Sequence, residues 1–107
     1  MSLDVTLTAI RRTPVFEYNI THNLNTMADK ADIYEALWRP NEIGLTQANQ
    51  IIDKLEIGLM TLRQNPEYFK LFNPKNGWGD YEGLVKFVEE YLKACKENPD
   101  AEISTWR

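Results

Sequence analysis

The sequence predicts an α+β domain in which a small antiparallel sheet packs against three to four helices. Three observations predict it: residues 4–20 alternate polar and apolar side chains, several stretches between residues 24 and 97 carry apolar side chains at helical spacing, and the last seven residues alternate again. The resulting order is β-β-α-α-α-β, and one face of such a sheet is covered by the helices. A chain of 107 residues has the length of a single domain, here residues 1–107.

The N-terminal segment predicts a hairpin. In DVTLTAI (residues 4–10) and VFEYNI (residues 15–20), the side chains expected to share the inner face are Val5, Leu7, Ala9, Phe16, Tyr18 and Ile20. Between them, RRTP is a short polar segment that ends in Pro14, which is typical of a turn.

Helical spacing predicts two longer helices next. The first runs from about Leu24 to Trp38 and ends before Pro40, since a proline disfavours helical geometry in the residue that precedes it. The second begins after an N-cap at Thr46 and runs to about Gln64.

A short helix, a loop, a last helix and a strand complete the chain. Asn65 followed by Pro66 predicts the start of the short helix, because proline favours the first helical position. NPKNGWGDYE (residues 73–82) is typical of a loop, and Asp80 is expected to cap the last helix. The terminal AEISTWR predicts a third strand that returns to the hairpin.

Composition limits the classes of function. Sixteen acidic against twelve basic residues leave a net charge of −4 and no basic stripe, which argues against nucleic-acid binding. No apolar run approaches the roughly 18 residues of a membrane span. A single cysteine and the lack of a signal-peptide pattern predict a reducing, cytoplasmic location, so the sequon at residues 19–21 is interpreted as coincidental.

The residues with reactive side chains do not form a recognisable catalytic or metal-binding motif. One histidine, His22, and one cysteine, Cys95, are too few for an ordinary zinc site. Cys95 falls on the apolar stripe of the last helix, where a core position is expected. We therefore predict no catalytic residue, no metal and no cofactor, and the question of enzymatic activity stays open, with a non-enzyme favoured.

Polar and aromatic residues at three predicted element ends suggest a small-ligand site. Its members would be His22, Asn23, Trp38, Arg39, Asn76 and Trp78. Aromatic rings and an arginine fork can stack on and hydrogen-bond a nucleotide or a sugar. The structural alternative is that His22 caps a helix or ties down a turn, Arg39 complements a helix dipole, and Trp78 anchors the loop to the core.

Four apolar residues fall off the main stripes of the two longer helices. They are Ile33, Leu37, Ile57 and Met60. If the fold does not cover them, they form a surface for self-association or for a protein partner.

Two segments carry a resemblance. NITHNLNTMADKADIYEALWRP (residues 19–40) and FNPKNGWGDYEGLVKFVEEYLKACKENPDAEI (residues 72–103) resemble a group of small uncharacterised proteins from bacteriophages, prophages and bacteria. The group is marked by NITHNL, LWRP and NPxNGWGxYExL motifs, and the resemblance spans roughly residues 16–103. It implies a shared fold and a phage-linked or bacterial cytoplasmic setting, but no activity. Asn25 and Asp32 stand where the group is expected to have glycine.

The leading hypothesis from the sequence is thus a small cytoplasmic accessory protein, phage- or prophage-linked, that binds a protein partner or itself. The alternative is a domain that binds or processes a small polar ligand.

Overall fold

The computed structural model describes residues 1–9 and 12–107 and confirms the predicted α+β architecture. Strands β1 (Ser2–Thr8), β2 (Pro14–Thr21) and β3 (Glu102–Trp106) form one antiparallel sheet in the order β2-β1-β3. The predicted continuation of β1 through Ile10, and Arg11 in the predicted turn, lie outside the described residues.

The helices follow between β2 and β3. They are α1 (Asn25–Lys30), α2 (Tyr34–Trp38), α3 (Ala48–Gln64), α4 (Pro66–Lys70) and α5 (Tyr81–Glu97), with 3₁₀ turns at His22–Leu24 and Pro40–Ile43. Within the described chain, no helix is both long and apolar enough to cross a lipid bilayer.

One face of the sheet packs on α5 through aromatic rings. The rings of Phe16 and Tyr91 stack at 5.6 Å between centroids, and those of Tyr18 and Phe87 lie 5.0 Å apart. Alternation along β1 buries Leu3, Val5 and Leu7 behind this layer, as period-2 strand geometry requires. The opposite face of the sheet is mainly polar and includes Asp4, Glu17, Asn19 and Ser104.

The prediction of one continuous helix from Leu24 to Trp38 is wrong, because the chain leaves helical geometry at Asp32. Asp32 has φ 61°, and its N–H donates to Asp29 O at 3.0 Å. The next N–H, of Ile33, donates to Ala28 O at 3.0 Å. This pair of hydrogen bonds is the Schellman arrangement that ends a helix, and aspartate is one of the few non-glycine residues that tolerate the left-handed position within it.

The predicted starts of the later helices are confirmed, apart from that of α3. Asp80 Oδ1 accepts from Gly83 N at 2.7 Å, and α4 begins at Pro66 after Asn65. Helix α3 starts at Ala48 with Gln47, not Thr46, at the N-cap. The side chain of Gln50 explains the shift, since its Oε1 accepts from the N–H groups of Thr46 at 2.8 Å and Gln47 at 3.0 Å.

Candidate functional site

The end of β2 and the NGWG loop, which are more than fifty residues apart in the chain, lie against each other. Asn23 Nδ2 donates to Trp78 O at 3.3 Å and to Asn76 Oδ1 at 3.5 Å. Asn76 Oδ1 also accepts from Trp78 N at 3.0 Å. Three of the six predicted ligand-site residues are therefore brought together, and both backbone polar groups of Trp78 are hydrogen-bonded.

Gly79 explains how closely the loop approaches β2. A Cβ at this position would lie 2.7 Å from Thr21 Cγ2 and 3.1 Å from Leu24 Cγ. The residue also has φ 101°, a conformation that side chains disfavour. Glycine is thus required here both for space and for backbone geometry.

Trp78 does not anchor the loop to the core, so that structural interpretation is wrong. Its side chain is 71 % exposed. The inner side of the loop is already occupied by the contact of Gly79 with Thr21 and Leu24, and Trp78 lies on the outer side. The loop therefore displays an aromatic ring on a hydrogen-bonded backbone.

Trp38 is the opposite case, because it is only 2 % exposed. Its ring stacks on Tyr34 at 5.5 Å, and the His22 ring lies 6.2 Å away, tilted by 60°. The last three residues of α2 are all buried, so the end of this helix faces the core. The prediction that Trp38 and Trp78 would stack together on one surface ligand is therefore wrong.

Arg39, at the end of α2, is hydrogen-bonded and ion-paired to neighbouring side chains. Its Nε donates to the Tyr34 hydroxyl at 3.2 Å, and its Nη1 pairs with Glu42 Oε2 at 2.8 Å. Arg107 also reaches Glu42, at 3.5 Å, and donates to Trp38 O at 3.4 Å. The bonds to Tyr34 and Glu42 raise the pKa of Arg39, and the bond from Arg39 lowers the pKa of Glu42. Arg39 is thus paired with Tyr34 and Glu42 at the end of α2.

His22 does not act as the cap. The hydroxyl of Thr21 accepts from Asn23 N at 3.2 Å and so caps the 3₁₀ turn in its place. Nε2 of His22 and Nε1 of the neighbouring Trp38 are both buried without a hydrogen-bond partner among the described protein atoms. These two ring nitrogens are therefore polar groups that the protein itself does not satisfy.

Cys95 lies in the core, as predicted. Burial raises the pKa of its thiol to about 12, so hardly any nucleophilic thiolate exists at neutral pH. Among residues 1–9 and 12–107, no group of three or more His, Cys, Asp or Glu side chains is placed to hold a metal ion.

Two of the four residues predicted for the interaction surface are buried. Ile33 and Leu37 are 1 % and 0 % exposed and do not belong to it. Ile33 packs over Gly58, where a Cβ would lie 2.3 Å from Ile33 Cγ2, so the glycine makes the notch that receives this side chain. Ile57 and Met60, on α3, are 66 % and 59 % exposed.

Sequence reasoning missed Trp106, which is 77 % exposed on β3. Its signal was present in the alternation of AEISTWR, which places Trp106 on the same side as the polar residues Glu102 and Ser104. An aromatic residue at one of the outward-facing, otherwise polar positions of a strand is expected to expose its ring.

Comparisons with protein-family models, with curated proteins and with solved structures find no match to this chain. The function proposed below is therefore supported by the geometry of these surfaces and by the resemblance described above.

Proposed function

We propose that this chain is a small cytoplasmic accessory protein, phage- or prophage-linked, that acts by binding a protein partner or a second copy of itself. The observation that supports binding most directly is the exposure of Ile57 and Met60. The resemblance to the phage and prophage group supports the setting.

Ile57 and Met60 belong to one face of α3, because residues three apart in a helix are neighbours. The core stripe of the same helix, which includes Leu55, Leu59 and Leu62, is buried, so α3 has apolar residues on two sides. Burying a side chain of this size is worth about 1.5–3 kcal/mol relative to leaving it exposed. Methionine also adapts readily to the shape of a partner surface.

Of the two kinds of binding proposed, to another protein or to a second copy, self-association is tested first. Sedimentation velocity over a range of protein concentrations, with chemical crosslinking, is expected to show a reversible oligomer. The double variant Ile57→Gln/Met60→Gln keeps helix-forming residues but removes the apolar surface, and we expect it to weaken association by at least about tenfold.

The matched control is Val15→Gln, which makes a similar change at an exposed residue of β2. It is expected to associate like the wild type. A wild-type protein that is monomeric throughout, or a double variant that associates equally well, would contradict self-association through α3.

A second candidate function is the binding of a small polar ligand, a nucleotide or a sugar, at the surface formed by Asn23, Asn76 and Trp78. The supporting observation is an exposed indole next to two exposed side-chain amides.

A thermal-shift screen against nucleotides and sugars tests this candidate, because a ligand that binds only the folded state must raise apparent stability. Only a shift that is lost in Trp78→Ala and kept in Trp106→Ala would assign the ligand to this surface. A blank screen would leave this candidate without support.

A further inference from the structure

The uncovered face of the sheet brings three side chains into one row. Asp4 lies opposite Asn19 of β2 on one side and opposite Trp106 of β3 on the other. Directly opposite residues of antiparallel strands have their Cβ atoms about 4.5–5.5 Å apart, so these three side chains are immediate neighbours. All three are exposed.

A groove of about 510 Å³ follows this row, and Glu17 and Thr6 line it together with the three side chains. Glu17 and Thr6 are themselves opposite each other in the next row of the sheet. The groove thus combines one large aromatic ring with a short array of oxygen atoms.

Internal hydrogen bonds orient the polar part of the row. Asn19 Nδ2 donates to Ser2 Oγ at 2.8 Å and to Asp4 Oδ1 at 2.5 Å. Because both amide hydrogens have acceptors, the group that Asn19 still offers is its Oδ1, an acceptor. Asp4 likewise retains Oδ2. The row therefore presents acceptors and selects a ligand that brings donors.

Charge excludes one class of ligand. Asp4, Glu17 and Glu102 are acidic, and the described residues of the three strands contain no lysine or arginine. A phosphate or carboxylate ligand would be repelled here. The ligand must therefore be neutral or cationic and rich in hydroxyl or amine donors.

We propose that this face binds a neutral saccharide, with a pyranose ring stacked on Trp106 and adjacent hydroxyl groups donating to Asp4 and Asn19. The indole face carries the negative part of the ring quadrupole, which attracts the polarised C–H bonds of a sugar ring. Hydroxyl donors to the Asp4 carboxylate make charge-assisted hydrogen bonds, which are stronger than neutral ones. This site is separate from the α3 surface and from the NGWG loop, so it does not depend on the function proposed above.

Two-dimensional ¹H–¹⁵N NMR titration with neutral oligosaccharides, such as cellotriose, maltotriose and chitotriose, tests the proposal on the full chain. At least one of them should shift the indole N–H signal of Trp106 and the amide signals of Asp4 and Asn19 in a saturable way. The indole signals of Trp38 and Trp78 should stay in place.

Four variants make the result specific. Trp106→Ala and Asp4→Asn should each weaken binding by about tenfold or more, and Asp4→Asn still offers an acceptor to Asn19, so the row is expected to stay in place. Trp106→Tyr keeps an aromatic ring and should retain most of the binding. Trp78→Ala, a change at an equally exposed tryptophan, should bind like the wild type.

Absence of saturable shifts with all three oligosaccharides would overturn the proposal. Unchanged binding by Trp106→Ala, or shifts centred on Trp78, would also overturn it. Tetramethylammonium is the probe for the competing cationic ligand, and tighter binding of that ion than of any sugar at the Trp106 signal would replace the saccharide with a cation.

Discussion

The hydroxyl of Tyr81 donates a 2.6 Å hydrogen bond to the carbonyl oxygen of Leu62 in the last turn of α3. The last four carbonyls of a helix have no partner inside it, so Tyr81, at the first position of α5, satisfies one of them from a neighbouring helix. Tyr91, ten residues later on the same helix, has a buried hydroxyl without any partner among the described protein atoms.

This contrast predicts opposite effects of the same substitution. Tyr81→Phe leaves the Leu62 carbonyl unsatisfied and should lower the free energy of unfolding by about 1–2 kcal/mol. Tyr91→Phe removes a buried hydroxyl that has no partner and should leave stability unchanged or raise it by up to about 1 kcal/mol. Urea denaturation of both variants measures this, and equal losses would contradict the assignment.

The fit of Ile33 over Gly58 predicts coupling between these residues. Gly58→Ala should destabilise the protein by about 1–3 kcal/mol, since the new methyl group would overlap Ile33 Cγ2. In an Ile33→Ala background the overlap disappears, and the same change should be neutral or stabilising, because alanine favours a helix over glycine by about 1 kcal/mol. A double-mutant cycle measures the coupling free energy, and additive effects would show that the two residues do not interact.

The resembling proteins are expected to have glycine at positions 25 and 32. In this protein, substituting glycine at these two positions should change the stability in different directions. Asp32 has φ 61°, so Asp32→Gly relieves a left-handed conformation and should be neutral or stabilising by up to about 1 kcal/mol. Asn25 has φ −62° at the start of α1, so Asn25→Gly should cost about 0.5–1 kcal/mol. Thermal unfolding of the two variants gives the comparison, and a less stable Asp32→Gly protein would contradict the strain at this position.

Burial of Cys95 predicts a loss of stability at alkaline pH. The thiol has its usual pKa, near 9, in the unfolded chain and about 12 in the folded protein. Between these values the unfolded chain binds fewer protons than the folded one, so the free energy of unfolding falls as pH rises, by at most about 1.4 kcal/mol per pH unit from this group. Burial also raises the pKa of Tyr91, whose contribution begins at higher pH.

Urea unfolding from neutral pH upward measures this dependence. Cys95→Ala should be less stable overall, because it leaves a small cavity, but should lose less stability per pH unit just above pH 9. In the native wild type, a thiol reagent should react only as fast as the protein opens. A fast reaction in native conditions would mean that Cys95 is accessible.

The α+β class and most of the elements follow from the sequence alone. Strands alternate with period 2, and a helix start depends on neighbours such as Asn65–Pro66 or Asp80, so these features are visible in a few consecutive residues. The candidate ligand site could be predicted only in part. Asn23, Asn76 and Trp78 lie together, but Trp38 is buried and Arg39 is paired with Tyr34 and Glu42.

Tertiary structure alone decided which side chains are covered. The apolar character of Ile33 and Ile57 is equally visible in the sequence, yet Ile33 is buried because Gly58 leaves space for it, and Ile57 stays exposed. In the same way, Gly79 packs closely against Thr21, while the neighbouring Trp78 stays exposed. Local periodicity sets the direction of a side chain from its own element, whereas burial depends on a partner that lies far away in the chain.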